Sequence, residues 1–423
     1  VSCFRIRPGA GARSAVSVAA ASALLSAPLA CGPGGKSPLE APERSRSGET
    51  APQTAAQPDP NAERYVWQAF TRSPLAAGEQ PAELAEGCAT PDAALVRVAE
   101  RIARRELEGA PLLEVAEVAF ALRAEGAPYV RPRYFTLRGA TAQRDAKERI
   151  DAWQASDRDA GELRCGVAVA SANGISTVAA VSASVIADLE ELPTQVRVGE
   201  WLDVRARLLE PARAAAVLVL GPRGSPHRVT ASLNADRVRA RFRADREGTW
   251  LVQMLADLAG GPRPVAEALV FAGTAPSTFY AAEPAPGETD ASMPDPAEHV
   301  TRMLNAARES EGLGALARDV RLDRAALAHA EAMRAFGHAV HDAGDGSPDE
   351  RARAAGVSAA LIGENVAHAR TATLAHRALW ASPSHRANLL EPAFDAVGIG
   401  VVPGEDGSVW VSELFAKLRR GTP

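Results

Sequence analysis

Two stretches of this chain carry almost no large apolar side chain. Residues 32 to about 63 and the run AAEPAPGETDASMPDP (281–296) consist mainly of Pro, Gly, Ala, Ser and charged residues. Such composition cannot bury enough apolar surface to offset the entropy of ordering the backbone. They therefore frame a central block of ordinary globular composition and set apart a C-terminal segment. At 423 residues the chain exceeds one ordinary domain. The division that follows is an export signal at 1–31, a Pro/Ala/Gly-rich tether at 32–84, an α+β domain at 85–187, a β-sandwich at 188–275, a linker at 276–294 and an α+β domain at 295–417.

The first segment places Arg5, Arg7 and Arg13 before the uncharged run SAVSVAAASALLSAPLA and then Cys31. This is the charged-then-apolar layout of an export signal, too short to span a bilayer comfortably. LSAPLACG is similar to the bacterial lipoprotein box, with Cys31 as the lipidated residue, although Pro28 stands where that box usually has leucine. Lipidation, simple cleavage and an uncleaved anchor all stay open. In an exported chain Cys88 and Cys165 most simply form a disulfide, two buried thiols being the alternative. With 47 basic and 52 acidic residues the charge is nearly balanced, without long runs of either sign. Nothing in those totals predicts a nucleic-acid partner, and polyanion binding is disfavoured.

In the central block, apolar Leu95, Val98 and Ile102 recur at helical spacing, and further helix is expected through Trp153. The segment CGVAVASANGISTVAAVSASV reads as two strands around the favoured hairpin turn Asn173-Gly174. From about 190 short strands follow at regular intervals, among them RVRARFRA, whose alternation suits one wet face. They predict a small sandwich of immunoglobulin-like architecture.

The C-terminal segment has clear helix punctuation. Asp295-Pro296-Ala297-Glu298 combines an N-cap, an N1 proline and a Glu at the third position, and Ser347-Pro348-Asp349-Glu350 is a second such box. Gly312, Gly337 and Gly356 follow helical runs. AVGIGVV and SVWVSELFAK read as a closing pair of strands, so an α+β layered fold is expected. This segment also holds seven of the eight histidines, between His299 and His385.

Six motifs in order, LNAAR, HAEAM, HDAGDGSPDERARAAG, GENVA, SPSHRANLLEPAFDAVGIGV and VWVSELFA, give residues 297–417 a resemblance to the CAP superfamily, the cysteine-rich secretory, antigen 5 and pathogenesis-related proteins that share the SCP domain, in its bacterial branch. The resemblance implies an α-β-α sandwich with a cleft lined by two histidines and acidic residues, in some members holding a divalent metal. Carried over, the histidines are His341 and His385 and the acid is Glu364, with Asn365 beside it in the cleft and His338 a weaker substitute for His341. The second cleft glutamate has no counterpart in the motifs. Two imidazoles and a carboxylate suit zinc with an open position. Asn365 and Ser384 read as supporting groups, and His368 and His376 as exposed. The same comparison pairs 152–183 with 379–416, so 85–187 reads as a degenerate CAP-like copy without histidine.

The expected function is an exported, envelope-associated ligand-binding module for a lipid, small molecule or envelope component, located in the outer membrane or periplasm or outside the cell. An N-terminal lipid anchor would attach it to the membrane. The alternatives are a metal-dependent hydrolase with His341 and His385 on the metal and Glu364 as general base, and a structural or adhesion protein.

Overall fold

The computed structural model describes residues 7–8, 64–70, part of 80–88, 90–155, 161–259, 261–288 and 294–419. Apart from Arg7–Pro8, the export signal, with Cys31, and most of the tether lie outside the described residues. Residues 64–70, assigned to the tether by composition, are packed: Tyr65 and Phe70 are buried, and Phe70 bridges Leu192 of the sandwich. Three aromatic residues in seven carry enough apolar surface to anchor a segment that its polar neighbours disguise.

The N-terminal layered domain comprises α1 (Ala93–Leu107), α2 (Val115–Ala124), β1 (Arg133–Gly139), α3 (Ala142–Ala155), β2 (Glu162–Ala172) and β3 (Ile175–Val185). Helix does continue through Trp153, in α2 and α3, but Arg133–Gly139 between them is a strand that the expectation did not include: Tyr134, Phe135 and Thr136 favour the extended state and pair antiparallel with β3. Asn173 and Gly174, both at positive φ, turn β2 into β3. Thr90–Pro91 adds a parallel edge to β2. Helices α1 and α2 pack on one sheet face, through residues such as Leu95, Val98 and Leu122 against Ala179 and Val181. Helix α3 covers the other, with Ile150 against Val167 and Val178. Cys88 and Cys165 are joined in a disulfide with a Cα separation of 5.8 Å.

The sandwich has two sheets. One contains β4 (Ala187–Leu189), β6 (Glu200–Leu208), β9 (Ala231–Asn234) and β10 (Arg237–Ala244); the other contains β5 (Gln195–Val196), β7 (Ala214–Leu220), β8 (His227–Val229), β11 (Gly248–Leu258) and β12 (Gly261–Ala272). Their inner faces meet around Val204, Val238, Trp250 and Val252.

The C-terminal domain comprises α4 (Pro296–Ser310), β13 (Ala317–Arg318), α5 (Val320–Phe336), α6 (Pro348–Ala354), β14 (Ala359–Ala369), α7 (Ala372–Ala381), α8 (Pro383–Leu389), β15 (Ala396–Pro403) and β16 (Val409–Leu418). Both predicted boxes cap their helices, with Asp295 on α4 and Ser347–Glu350 on α6. Strands lie in the order β14, β16, β15, β13, with Arg7–Pro8 paired at the outer edge of β14. Helices α5 and α6 cover one face, where Leu322 and Ala326 meet Ile362 and Leu414. Helices α4, α7 and α8 cover the other, where Met303, Leu379 and Leu389 meet Val397 and Phe415.

The first and third domains follow the same chain path. In each, a two-residue strand runs parallel to the third strand of the sheet, then an Asp N-cap (Asp92, Asp319) starts a helix and donates its backbone N–H across the sheet, to Cys165 O or Val397 O, at 3.0 Å. Each helix lies against a glycine that it leaves no room to replace. A Cβ on Gly166 would stand 2.1 Å from Val96 N, and one on Gly398 2.1 Å from Leu322 C.

Candidate functional site

Glu364 lies opposite Leu414 in the β14–β16 ladder, so its side chain enters the layer of α5 and α6. It is wholly buried. The His341 Nδ1 atom is 2.9 Å from Glu364 Oε2, and Arg351 Nη2 donates to Oε1 at 2.6 Å. The capping box seats Arg351 on α6, from where its Nη1 also donates to the His341 carbonyl at 2.9 Å. One guanidinium thus fixes both the carboxylate and the loop bearing His341. Burial by itself would raise the Glu364 carboxyl, but the Arg351 charge and the histidines beside it bring it down to about 2.

His341 Nδ1–H therefore donates to an ionised carboxylate, which leaves Nε2 as the ring atom that can meet a ligand. That Nε2 is buried without a hydrogen-bond partner among the described residues. His329, which reads in the sequence only as part of a helix's apolar face, completes the wall. Its ring nitrogens lie 2.8 Å from Asp345 Oδ2 and 2.9 Å from Val340 O, and Nε2 is 3.7 Å from Glu364. Sequence spacing held a signal for it only in combination: His329 follows Leu322 and Ala326 on the face that meets the sheet, and a polar residue there needs a buried partner.

His385 belongs to α8 in the opposite layer. Its Nδ1 is 2.8 Å from Ser382 Oγ, and its backbone carbonyl accepts from Asn365 Nδ2 at 3.2 Å. The structure brings His341 and Glu364 into contact but does not bring the His385 ring to them. Asn365 instead joins a buried amide-and-acid set, donating to Glu413 Oε2 at 3.0 Å and accepting from Asn388 Nδ2 at 2.9 Å. Burial pushes the Glu413 carboxyl up to about 7, against the Asn365 hydrogen bond, which favours its charged form. Glu413 was hidden in the sequence because it sits among the apolar residues of VWVSELFA, where strand alternation is masked by burial on both faces.

The second domain reaches this layer too. Gln253 of β11 donates to Ser382 Oγ at 3.1 Å and to Glu267 Oε1 at 2.6 Å, and its Oε1 accepts from Ser384 N at 2.9 Å. Arg123 of α2 pairs with Glu267 in turn. Ser384 is buried, as is His376, contrary to the exposed placement expected for it. His376 packs beneath Pro286 and is held down to about 4 by burial, against the hydrogen bond that its Nε2 donates to the Pro286 carbonyl. His368 is exposed and stacks on Trp410 at 3.9 Å.

Among the described residues no three His, Cys, Asp or Glu side chains are grouped to hold a metal ion. Both Glu364 oxygens are engaged by protein groups, Oε1 by Arg351 and Oε2 by His341. The open donor is His341 Nε2.

Residues 301–414 match the family model described as CAP, the cysteine-rich secretory protein family. That segment is a CAP domain, within a mixed α+β chain. Bacillus subtilis (strain 168) YkwD, an uncharacterised protein, is 32% identical over 120 residues, which cover 28% of this chain. The chain spans about half, 46%, of that relative's length. Among solved structures, an outer surface protein of Borrelia burgdorferi is 21% identical, covering 29% of this chain and 93% of that one, with a TM-score of 0.28. An extracellular SCP-domain protein of Bacillus anthracis is 16% identical, covering 53% and 88%, with a TM-score of 0.27.

Proposed function

We propose that this is an exported, envelope-associated protein whose CAP domain binds a lipid, small molecule or envelope component at His341. The observation that carries the reading is the orphaned Nε2 of His341, on a ring whose other nitrogen is fixed by a buried anion. Leaving such an atom unpaired costs about 1–3 kcal/mol, a cost that a ligand hydroxyl or amide donor would recover.

Export is supported by the arginine-then-apolar start and by the Cys88–Cys165 disulfide, since such bonds persist in oxidising compartments. No helix among the described residues is long and apolar enough to cross a membrane. The layered domain at 85–187 reads as a CAP-like copy without the site. By register its Ile102, Tyr134 and Ala180 occupy the places of His329, Glu364 and Glu413. The hydrolase reading is less favoured, because a carboxylate held ionised to about 2 and paired with Arg351 is a weak base.

The test is calorimetric titration of the full chain with palmitate, with cholesterol and with zinc chloride. Wild type should bind a lipid probe, and His341→Ala should weaken that binding about tenfold or more, the loss of one well-made hydrogen bond. Zinc binding lost in both His341→Ala and His385→Ala would add a shared metal. Lipid binding unaffected by His341→Ala would remove the proposal.

A further inference from the structure

The overall charge balance conceals a local imbalance on the sandwich. Strands β6 and β10 alternate so that every second residue is buried and every other is exposed. On the exposed face β10 presents Arg237, Arg239, Arg241 and Arg243, while β6 presents Trp201, Asp203, Arg205 and Arg207. The register sets Arg237 opposite Arg207 and Arg239 opposite Arg205. Like charges directly opposite on one sheet face are destabilising. Nothing in folding calls for them, since any small polar residue would serve a wet face equally well.

The available counter-charges are few. Asp203 serves Arg205 and Arg241, Asp188 serves Arg207, and Glu190 serves Arg237, all at 3.2–3.6 Å. Arg239 has no acidic partner among the described residues, and Arg243 donates to the Gly199 carbonyl instead of an acid. The side chains of Arg205, Arg207, Arg237 and Arg241 are 49–63% exposed, so their guanidinium groups face water. At the end of the array Trp201 stands 55% exposed, with Arg241 over its ring at 5.1 Å.

We propose that this arginine face is a binding surface for a linear acidic polysaccharide. Same-face residues on a strand recur at about 7 Å and neighbouring strands at about 4.8 Å, which gives two parallel rows of planar forks suited to carboxylate or sulfate groups. Those intervals suit a polymer with well-spaced charges better than duplex DNA, with one charge per ~1.7 Å of axis. The intervening Asp203, Asp188 and Glu190 would repel so dense a polyanion but leave room for a sparse one. A single aromatic at one end offers a platform for one sugar ring, not the succession of rings on which single-stranded bases stack.

The full chain should bind polygalacturonate immobilised on a sensor at low salt, and not neutral dextran. Binding should weaken steeply as sodium chloride is raised. The variant Arg205→Ser/Arg239→Ser/Arg241→Ser should lose about tenfold or more in affinity, as expected when three charge-assisted contacts are removed. Arg144→Ser/Arg302→Ser, at exposed arginines of other domains, should bind like wild type. Circular dichroism confirms that the exposed-site variants fold. Wild type failing to bind polygalacturonate, binding unchanged in the triple variant, or tighter binding to a 20-base-pair duplex or to phosphatidylglycerol vesicles than to the polysaccharide would overturn the assignment.

Discussion

Two glutamates one strand apart in this domain are treated in opposite ways by their surroundings. Glu364 is buried beside a guanidinium and stays charged; Glu413 is buried beside amides and holds its proton to about 7. The consequence for stability has a definite sign. An unfolded glutamate titrates near 4.3, so between that value and about 7 the native Glu413 binds a proton that the unfolded chain has released, and stability falls as pH rises. Glu413→Gln keeps an acceptor for Asn365 and removes the titration. Its stability should match wild type at pH 4 and exceed it at pH 8 by about 3–4 kcal/mol, read from urea unfolding at each pH. Parallel pH curves for the two proteins would show that Glu413 ionises freely. Neither environment was legible in the sequence, because a carboxyl group's neighbours come from other strands and helices. His341 and Glu364 could be named from their motifs, but which of their atoms is left without a partner among the described residues could not.

At the scale of elements, the clearest sequence signals were the capping boxes and the glycine stops. Asp295 and Ser347 each bond the first turn of the helix they precede, and Gly337 ends α5 at a φ of 82°. These signals are local, which is why they survive translation into structure. Strands β1 and β14 were missed because neither alternates: β1 is an edge strand half-buried along nearly its whole length, and β14 is buried without a break from Ile362 to Ala367. Two glycines make the helix-on-sheet approach testable. Gly166→Ala and Gly398→Ala place a Cβ into the backbone of α1 and α5 respectively, and each should cost about 1–3 kcal/mol in urea unfolding. Gly314→Ala, with open space around it and no positive φ, should be neutral. Equal stability of all three variants would mean that the helices slide outward without loss.

Across the whole molecule, the three folded parts share polar contacts as well as chain. Gln253 of the sandwich is buried against Ser382 and Ser384 at the start of α8, and Leu218 and Leu255 meet Ala387 beside it. Gln253→Ala removes the acceptor of the Ser384 amide. Since an orphaned buried donor costs about 1–3 kcal/mol, hydrogen exchange at residues 382–388 should accelerate about tenfold while β14 is unaffected. Unaltered exchange there would reduce the seam to passive packing. From the chain alone came what depends on neighbours in sequence: the helix caps, the hairpin at Asn173-Gly174, the six CAP motifs and the sandwich as a class. The tertiary structure alone decided what depends on residues distant along the chain. It paired Glu364 with Arg351 and His341, sent the His385 ring to Ser382, and aligned the arginines of two strands on one face. Local pattern settles which elements form, because it acts over a few residues. Which side chains meet depends on strand register and layer order, and these are set only when the sheets close.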